Sequence, residues 1–240
     1  MVAQLEAGAT GSVRIAGYCA RRVVLDFGRV QPQLFVVDRL EEFVDGDALL
    51  RDPAAPEPPY WAHLWPGARA LARLLGTRSD CSGRRVVEIG CGLGLPGLTA
   101  ALCGARVTMI DTAYEALRFA QASAQLNRCR IATVQMDVRN PGLRGRFDYV
   151  LAADVTYDPA LQTALANFLA AHLAPDGHAW CAESVRTFDR GFQHACEAHA
   201  LHTQQHEVRE PDDGREVAVR ITEIRARKRV PGCWSLVSGH

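Results

Sequence analysis

The alternation of strand-like and helix-like segments from Gly83 onward is the feature that most constrains the fold. Short apolar runs such as RVVEIG and RVTMID alternate with longer segments, such as AYEALRFAQASAQLN, whose apolar residues recur at helical spacing. This alternation is typical of a parallel sheet with right-handed crossover helices. A PDDG turn separates the last two strand-like segments, so the final strand is expected to run antiparallel to its neighbour. We predict an α/β fold with a seven-stranded, mostly parallel sheet that carries helices on both faces.

The segment before this alternation predicts a smaller unit. Three short runs, SVRIAGY, RVVLDF and QLFVVDRL, have the length and composition of strands and predict a small β extension. Four prolines between positions 53 and 59 then indicate a linker. We therefore expect an extension over residues 1–58, the main domain over residues 59–228 and a tail over residues 229–240.

Charge and cysteine content exclude several classes of protein. The chain has 27 basic and 27 acidic residues, which argues against a general nucleic-acid or membrane-surface binder, whose footprint is basic. No apolar run is long enough to span a bilayer, and the N-terminus lacks the features of a secretory signal. None of the eight cysteines forms a C-x-x-C pair, which favours reduced thiols in the cytoplasm and no metal site. The oligomeric state stays open.

The glycine-rich stretch VVEIGCGLGLPGL can be interpreted in two ways. Gly92, Gly94 and Gly97 fit the dinucleotide pattern G-x-G-x-x-G, which implies hydride chemistry. Glu88, Gly90, Gly92 and Gly94 fit E-x-G-x-G-x-G, the first motif of S-adenosylmethionine-dependent methyltransferases. In both cases the glycines let the backbone approach a ligand, and the amides of the next helix favour an anionic group.

Three acidic residues bear on this choice. Asp111 ends the second strand, where a carboxylate can accept both ribose hydroxyls in either interpretation. Glu88 lies inside the first strand, at a position that dinucleotide folds usually keep apolar and where methyltransferases use an acid near the methionine amine. Asp137 ends the third strand, where a carboxylate can meet the adenine amino group. Glu88 and Asp137 therefore favour methyl transfer.

The fourth strand carries the most specific pattern, FDYVLAADVTYDP. Asp154 and Tyr157 lie just past its carboxyl end, which in an open parallel sheet borders the ligand crevice. Methyltransferases that act on planar amino groups usually have Asn/Asp-Pro-Pro-Tyr here, whereas this chain has Asp-Val-Thr-Tyr. Together with PYWAHLWPGARALA upstream, this D-x-x-Y pattern resembles methyltransferase family 16, a group of protein-lysine methyltransferases. The resemblance runs from about Pro59 to Ser184.

The resemblance implies a Rossmann-like methyltransferase that uses S-adenosyl-L-methionine, releases S-adenosyl-L-homocysteine and acts on a protein lysine. It places Asp154 and Tyr157 at the target amine, as the catalytic residues. The residues expected to bind the donor are Trp65, Glu88, Gly90, Cys91, Gly92, Gly94, Asp111, Asp137 and Ala153.

Other interpretations of these residues remain open at this stage. Trp61 and Trp65 could be core aromatics, and Tyr157 could pack on the following helix. Asp154 could be the N-cap of the helix PALQTAL, because aspartate favours that position. His63 fits a surface position better than that of a catalytic base. Alternative functions are methylation of a small molecule, a protein N-terminus or a histidine, and an NAD-dependent oxidoreductase, for which no hydride-site pattern follows the fourth strand.

Overall fold

A computed structural model of the chain describes residues 6–7, 13–43, 58–77, 81–184 and 190–226. It confirms the α/β prediction, since seven strands form one sheet in the order β10-β11-β9-β8-β5-β6-β7. β5 to β9 pair in parallel, and β11 is antiparallel to both of its neighbours. The strands of this sheet are β5 (Arg85–Ile89), β6 (Arg106–Asp111), β7 (Ile131–Gln135), β8 (Phe147–Ala153), β9 (Leu173–Ser184), β10 (Leu201–Asp212) and β11 (Arg215–Ala226).

Five helices cover the two faces of this sheet within the described ranges. The first three share one apolar core and the last two the other. They are α1 (Pro66–Thr77), α2 (Leu95–Leu102), α3 (Tyr114–Leu126), α4 (Pro159–His172) and α5 (Gly191–Ala198). None of the helices in these ranges is long and apolar enough to cross a bilayer.

The junction between α4 and β9 differs from the prediction. The sequence pattern predicts a helix as far as Pro175, but α4 ends at His172 and Leu173 already has extended backbone angles. Pro175 prevents the helix from reaching the predicted end, because the residue before a proline, here Ala174, is pushed out of the helical region. β9 consequently begins at Leu173, and its pairing with β8 shifts register between Phe147 and Tyr149.

The predicted β extension is confirmed as a separate antiparallel sheet. Its strands, in the order in which they pair, are β1 (Glu6–Ala7), β2 (Val13–Ile15), β3 (Tyr18–Val24) and β4 (Gln33–Val37). β4 lies on α3, where the Phe35 amide donates to Ser123 Oγ at 3.0 Å and the Gln33 amide donates to Asn127 Oδ1 at 3.0 Å. The extension is thereby hydrogen-bonded to the main domain.

Two of the predicted segments fall largely outside the described residues. The proline linker lies mostly within residues 44–57, and the tail at residues 229–240 is also outside them. Between the two sheets, a 3-10 turn at Tyr60–Ala62 leads into α1. The domain boundaries stay predictions.

Candidate functional site

A cavity of about 550 Å³ opens at the carboxyl ends of β5, β6 and β8. We call it the donor cavity. It brings together eight of the eleven residues that the sequence predicts for the site. These are Trp65, Gly90, Gly92, Asp111, Asp137, Ala153, Asp154 and Tyr157.

The glycine loop forms the floor of this cavity, and its backbone requires glycine. Gly90 and Gly92 have φ angles of 61° and 51°, in the left-handed region that other residues rarely adopt. A Cβ on Gly90 would lie 2.5 Å from Val155 Cγ1, and one on Gly92 would lie 2.9 Å from the Trp61 carbonyl oxygen. The loop therefore has no room for side chains at these two positions.

Asp111 joins the end of β6 to the glycine loop. Its Oδ2 accepts from the Gly92 amide at 2.8 Å, and its Oδ1 accepts from the Ala113 amide at 2.9 Å. Burial raises the pKa of Asp111, and these backbone hydrogen bonds oppose that rise. Each carboxylate oxygen has a second lone pair, so Asp111 can still accept hydrogen bonds from a ligand in the cavity.

Glu88, Cys91 and Gly94 do not line the donor cavity. Glu88 is 1% exposed, and its Oε2 accepts from the Gly97 amide in the first turn of α2 at 2.9 Å. The sequence predicts the Glu88 carboxyl group beside the amine of a donor. In the structure this side chain turns away from the cavity, towards α2. Burial raises the pKa of Glu88 to about 8, so the carboxyl is mostly protonated at pH 7.

Asp137 lies at the cavity wall as an ion pair. Its Oδ2 accepts from Arg139 Nη2 at 2.6 Å and from Arg139 Nε at 2.9 Å. Arg139 thereby lowers the pKa of Asp137, which keeps this side chain an anion at neutral pH. Arg139 also lines the cavity, so the pair presents both an acceptor and a cation there.

A second cavity, of about 430 Å³, adjoins the first and is called the acceptor cavity here. Its walls combine three aromatic rings, two carboxyl groups and the aliphatic hydroxyls of a threonine and a serine. The lining residues are Tyr60, Trp65, Asp154, Thr156, Tyr157, Glu183 and Ser184. Four of them, Tyr60, Trp65, Asp154 and Tyr157, also line the donor cavity, so the two cavities have a common wall.

Asp154 links three parts of this wall. Its Oδ2 accepts from the Gly67 amide in the first turn of α1 at 2.8 Å, and its Oδ1 accepts from the Ser184 amide at the end of β9 at 3.1 Å. Its φ of 52° is left-handed, a region in which aspartate is enriched. The predicted alternative, an N-cap of α4, is wrong, because Asp158 fills that position and accepts from the Ala160 amide.

Burial raises the pKa of Asp154 to about 6. The charges of Glu183 and Asp212 add to this rise, and the amides of Ser184 and Gly67 oppose it. At neutral pH the group is therefore mostly a carboxylate, held at the N-terminal end of α1, where the helix dipole favours a negative charge.

The aromatic residues divide between core and cavity. The Trp61 ring packs against Tyr18 and Phe119, with ring centroids 5.4 and 5.2 Å away, so Trp61 is a core aromatic, and this residue also lines the donor cavity. Trp65 is 37% exposed and Tyr157 is 69% exposed, so neither of these rings is enclosed in the core. The His63 ring lies edge-on to Trp65 at 4.5 Å.

Sequence reasoning missed Tyr60, Thr156 and Glu183. Glu183 is next to the last residue of β9, and the carboxyl ends of parallel strands meet at one edge of the sheet. The acid near the end of the apolar run HAWCAES, which follows the fourth predicted strand and its helix, was the available signal. No group of three or more potential metal ligands is clustered in the parts of the chain that the structure describes.

Comparison with known proteins identifies the central part of the chain. Residues 86–177 match a family described as "Methyltransferase domain". The electron transfer flavoprotein beta subunit lysine methyltransferase of Danio rerio is 33% identical over 113 residues, which is 46% of this chain and 44% of that protein. The histone-arginine methyltransferase METTL23 of Xenopus laevis is 32% identical over 108 residues, 42% of this chain and 46% of that protein.

A solved structure supports the fold. The N-methyltransferase NodS from Bradyrhizobium japonicum WM9, in complex with S-adenosyl-L-homocysteine, has a TM-score of 0.56 at 20% identity, and the match covers 76% of this chain and 98% of that chain. The matched stretch spans less than half the length of the two curated relatives. The resemblance to the protein methyltransferases of family 16 is confirmed, and the dinucleotide interpretation of the glycine loop is disfavoured.

Proposed function

Because residues 86–177 carry a methyltransferase domain, we propose that this chain is an S-adenosylmethionine-dependent N-methyltransferase whose acceptor is a lysine amine of a protein. The observation that carries the proposal is the common wall of the donor and acceptor cavities. A group-transfer enzyme needs two adjoining compartments, because its reacting atoms must be held in contact and in line.

The residues of the donor cavity fit the proposed donor. A side chain on Gly90 or Gly92 would occupy the floor, so the backbone is open to a ligand there. Asp111 would accept from ribose hydroxyls, and Asp137 would accept from the adenine amino group. Trp65 and the Ala153 backbone would lie along the methionine part. When bound, the donor supplies an electrophilic methyl group on a sulfonium sulfur.

The acceptor cavity would serve the incoming amine. A free lysine has a pKa of about 10.4, so its deprotonation at pH 7 costs roughly 4–5 kcal/mol. Asp154, mostly a carboxylate at this pH, would attract and orient the ammonium group. Tyr157 would line the acceptor cavity and limit the entry of water. Exclusion of water also destabilises the charged form of the amine and so lowers its pKa. We assign neither residue the role of a general base, so the ammonium proton passes to solvent before the neutral amine accepts the methyl group.

The test uses purified protein, labelled S-adenosylmethionine and a protein extract from cells of its source. Acid hydrolysis of the labelled bands should release methylated lysine. Asp154→Asn, which keeps the size, removes the charge and leaves one of the two accepting oxygens, should lower the labelling rate by roughly a hundredfold, the usual scale for loss of a positioning group. S-adenosylhomocysteine should still raise the melting temperature of the variant, since a ligand that binds only the folded state stabilises it.

A matched control lies at the other end of the same strand. Asp148 Oδ2 also accepts a backbone amide, that of Arg85 at 2.8 Å, and does not line either cavity. Asp148→Asn should label proteins at close to the wild-type rate. Equal loss in both variants would mean that the effect is structural and would contradict the assignment of Asp154.

The same experiment separates the alternatives. Methylated arginine in the hydrolysate would mean that the acceptor is an arginine, as the name of the histone-arginine methyltransferase relative states for that protein, and not a lysine. Methylated histidine or a labelled protein N-terminus would support the alternative acceptors given in the sequence analysis, and label only in small molecules would exclude a protein acceptor.

The described cysteines are free thiols, and this supports our further proposal that the protein works in a reducing compartment, the cytoplasm.

A further inference from the structure

We propose that Glu183 is a second carboxylate, beside Asp154, that binds the ammonium group of the substrate, and that Thr156 positions it. This inference rests on the proposed function, because it assigns a role within the acceptor cavity. It makes Glu183 a specificity-determining residue for a cationic acceptor.

The lining of the acceptor cavity suits a cation. Three aromatic rings, those of Tyr60, Trp65 and Tyr157, face the same space as the carboxyl groups of Asp154 and Glu183. Among the residues found to line it, none is basic. Aromatic faces and carboxylates both attract an ammonium ion, and a partly enclosed cavity strengthens that attraction. A neutral acceptor of the same size would gain little from these walls.

The two carboxyl groups are held in different ways. Both oxygens of Asp154 already accept backbone amides, from Gly67 and from Ser184, so this side chain ties α1 to β9. Glu183 is 8% exposed, and its Oε2 accepts from the Thr156 hydroxyl. A carboxylate offers about four lone-pair sites, so several donors can share the Glu183 carboxyl group in the wall of the acceptor cavity.

Thr156 is the third residue of the D-x-x-Y pattern and is 2% exposed. Its carbonyl oxygen accepts from Gln162 Nε2 at 2.9 Å, so α4 holds its backbone in place. Its hydroxyl then directs the Glu183 carboxylate from the α4 side of the cavity. The pattern therefore carries a positioning residue between its two predicted catalytic residues.

A purely structural role for Glu183 makes a different prediction. Arg220 lies directly opposite Glu183 in the β9–β11 pairing and donates to Glu207 at 2.8 Å. If Glu183 served only to balance the charge of Arg220, its loss would lower the stability of the fold. It would then leave the dependence of the rate on acceptor concentration unchanged.

The experiment measures that dependence with an acceptor protein fractionated from the extract described above. Glu183→Gln should raise the KM for this acceptor by roughly tenfold to a hundredfold, the scale of a lost charge-assisted hydrogen bond. The Kd for S-adenosylhomocysteine, measured by calorimetry, should stay the same. The matched control is Glu223→Gln, the same substitution in β11 of the same sheet and outside both cavities, which should keep the wild-type KM.

A second pair of variants keeps the inference falsifiable if Glu183→Gln fails to fold. Thr156→Val should raise the KM in the same direction, and Thr156→Ser, which keeps the hydroxyl, should restore the wild-type value. An unchanged KM in Glu183→Gln, or an unchanged KM in Thr156→Val, would overturn this inference and leave the proposed function intact. A wild-type protein that methylates no lysine would overturn the proposed function, and the inference with it.

Discussion

Replacement of Glu88 by glutamine tests the internal electrostatics of the glycine loop. Burial raises the pKa of Glu88 to about 8 from an ordinary value of 4.5, and the Gly97 amide only partly opposes this. The folded protein therefore binds a proton that the unfolded chain has already released. Because the folded-state pKa is the higher one, the stability that this proton contributes is lost as the pH rises from 4.5 through 8.

The size of the effect follows from the two pKa values. One pKa unit corresponds to about 1.4 kcal/mol, so a displacement from 4.5 to about 8 corresponds to about 5 kcal/mol over the full range. Between pH 6 and pH 8 the native protein should lose about 2 kcal/mol of stability through this one group. Glutamine keeps an oxygen acceptor for the Gly97 amide and does not titrate. The stability of Glu88→Gln relative to the wild type should therefore rise by the same amount.

Urea unfolding, followed by tryptophan fluorescence at pH 6, 7 and 8, measures this difference. The free energy of unfolding is extrapolated to water for both proteins at each pH. Taking the difference between wild type and variant removes the contributions of other titrating groups, such as Asp154, that both proteins share. Asp137→Asn is the control, because Arg139 lowers the pKa of Asp137 and does not itself titrate, so Asp137 is ionised in both the folded and the unfolded state over this range.

A flat difference between pH 6 and pH 8 would refute this reasoning. It would mean that Glu88 is already a carboxylate in the folded protein, with a partner able to stabilise the charge. A stability of Glu88→Gln, relative to the wild type, that falls with rising pH would have the wrong sign and would refute it as well.

Two further substitutions test the floor of the donor cavity and the start of α4. Gly90→Ala should weaken S-adenosylhomocysteine binding measured by calorimetry, because its Cβ would lie 2.5 Å from Val155 Cγ1 and the left-handed φ adds about 1–2 kcal/mol of backbone strain. Adding Val155→Ala to the same protein should recover only the steric part of the loss. Wild-type binding by Gly90→Ala alone would contradict the geometry. Asp158→Ala should lower the free energy of unfolding in urea by about 1 kcal/mol, because it removes the hydrogen bond to the Ala160 amide, whereas Asp158→Ser should retain most of it, and equal loss in both variants would argue against a capping role.

The fold could be predicted from the sequence because its signals are local. Apolar runs, helical spacing and the PDDG turn are each contained in a few neighbouring residues, and they predicted the sheet and its antiparallel last strand. Pro175 shows the limit of this reasoning, since its effect on the helix end is also local but was given too little weight against the apolar pattern of α4.

The hydrogen-bond partners of the acidic residues could not be predicted in this way. Asp154 accepts from Gly67, which is 87 positions away, and from Ser184, which is 30 positions away. Glu88 could turn towards either the cavity or α2, and only the packing of α2 decides between them. The sequence pattern did not indicate a role for Glu183, because its partner Thr156 is brought to it only by the pairing of β8 with β9.

The contact between Tyr18 and Trp61 limits how independently the two sheets can evolve. Tyr18 belongs to β3 of the extension, and Trp61 presents its ring to Tyr18 and its carbonyl oxygen to the space above Gly92. Trp61 thus links the shape of the extension to that of the donor cavity. The extension is therefore not an interchangeable module, and a chimaera that carries another protein's extension would need a matching residue at position 61 to retain the donor cavity.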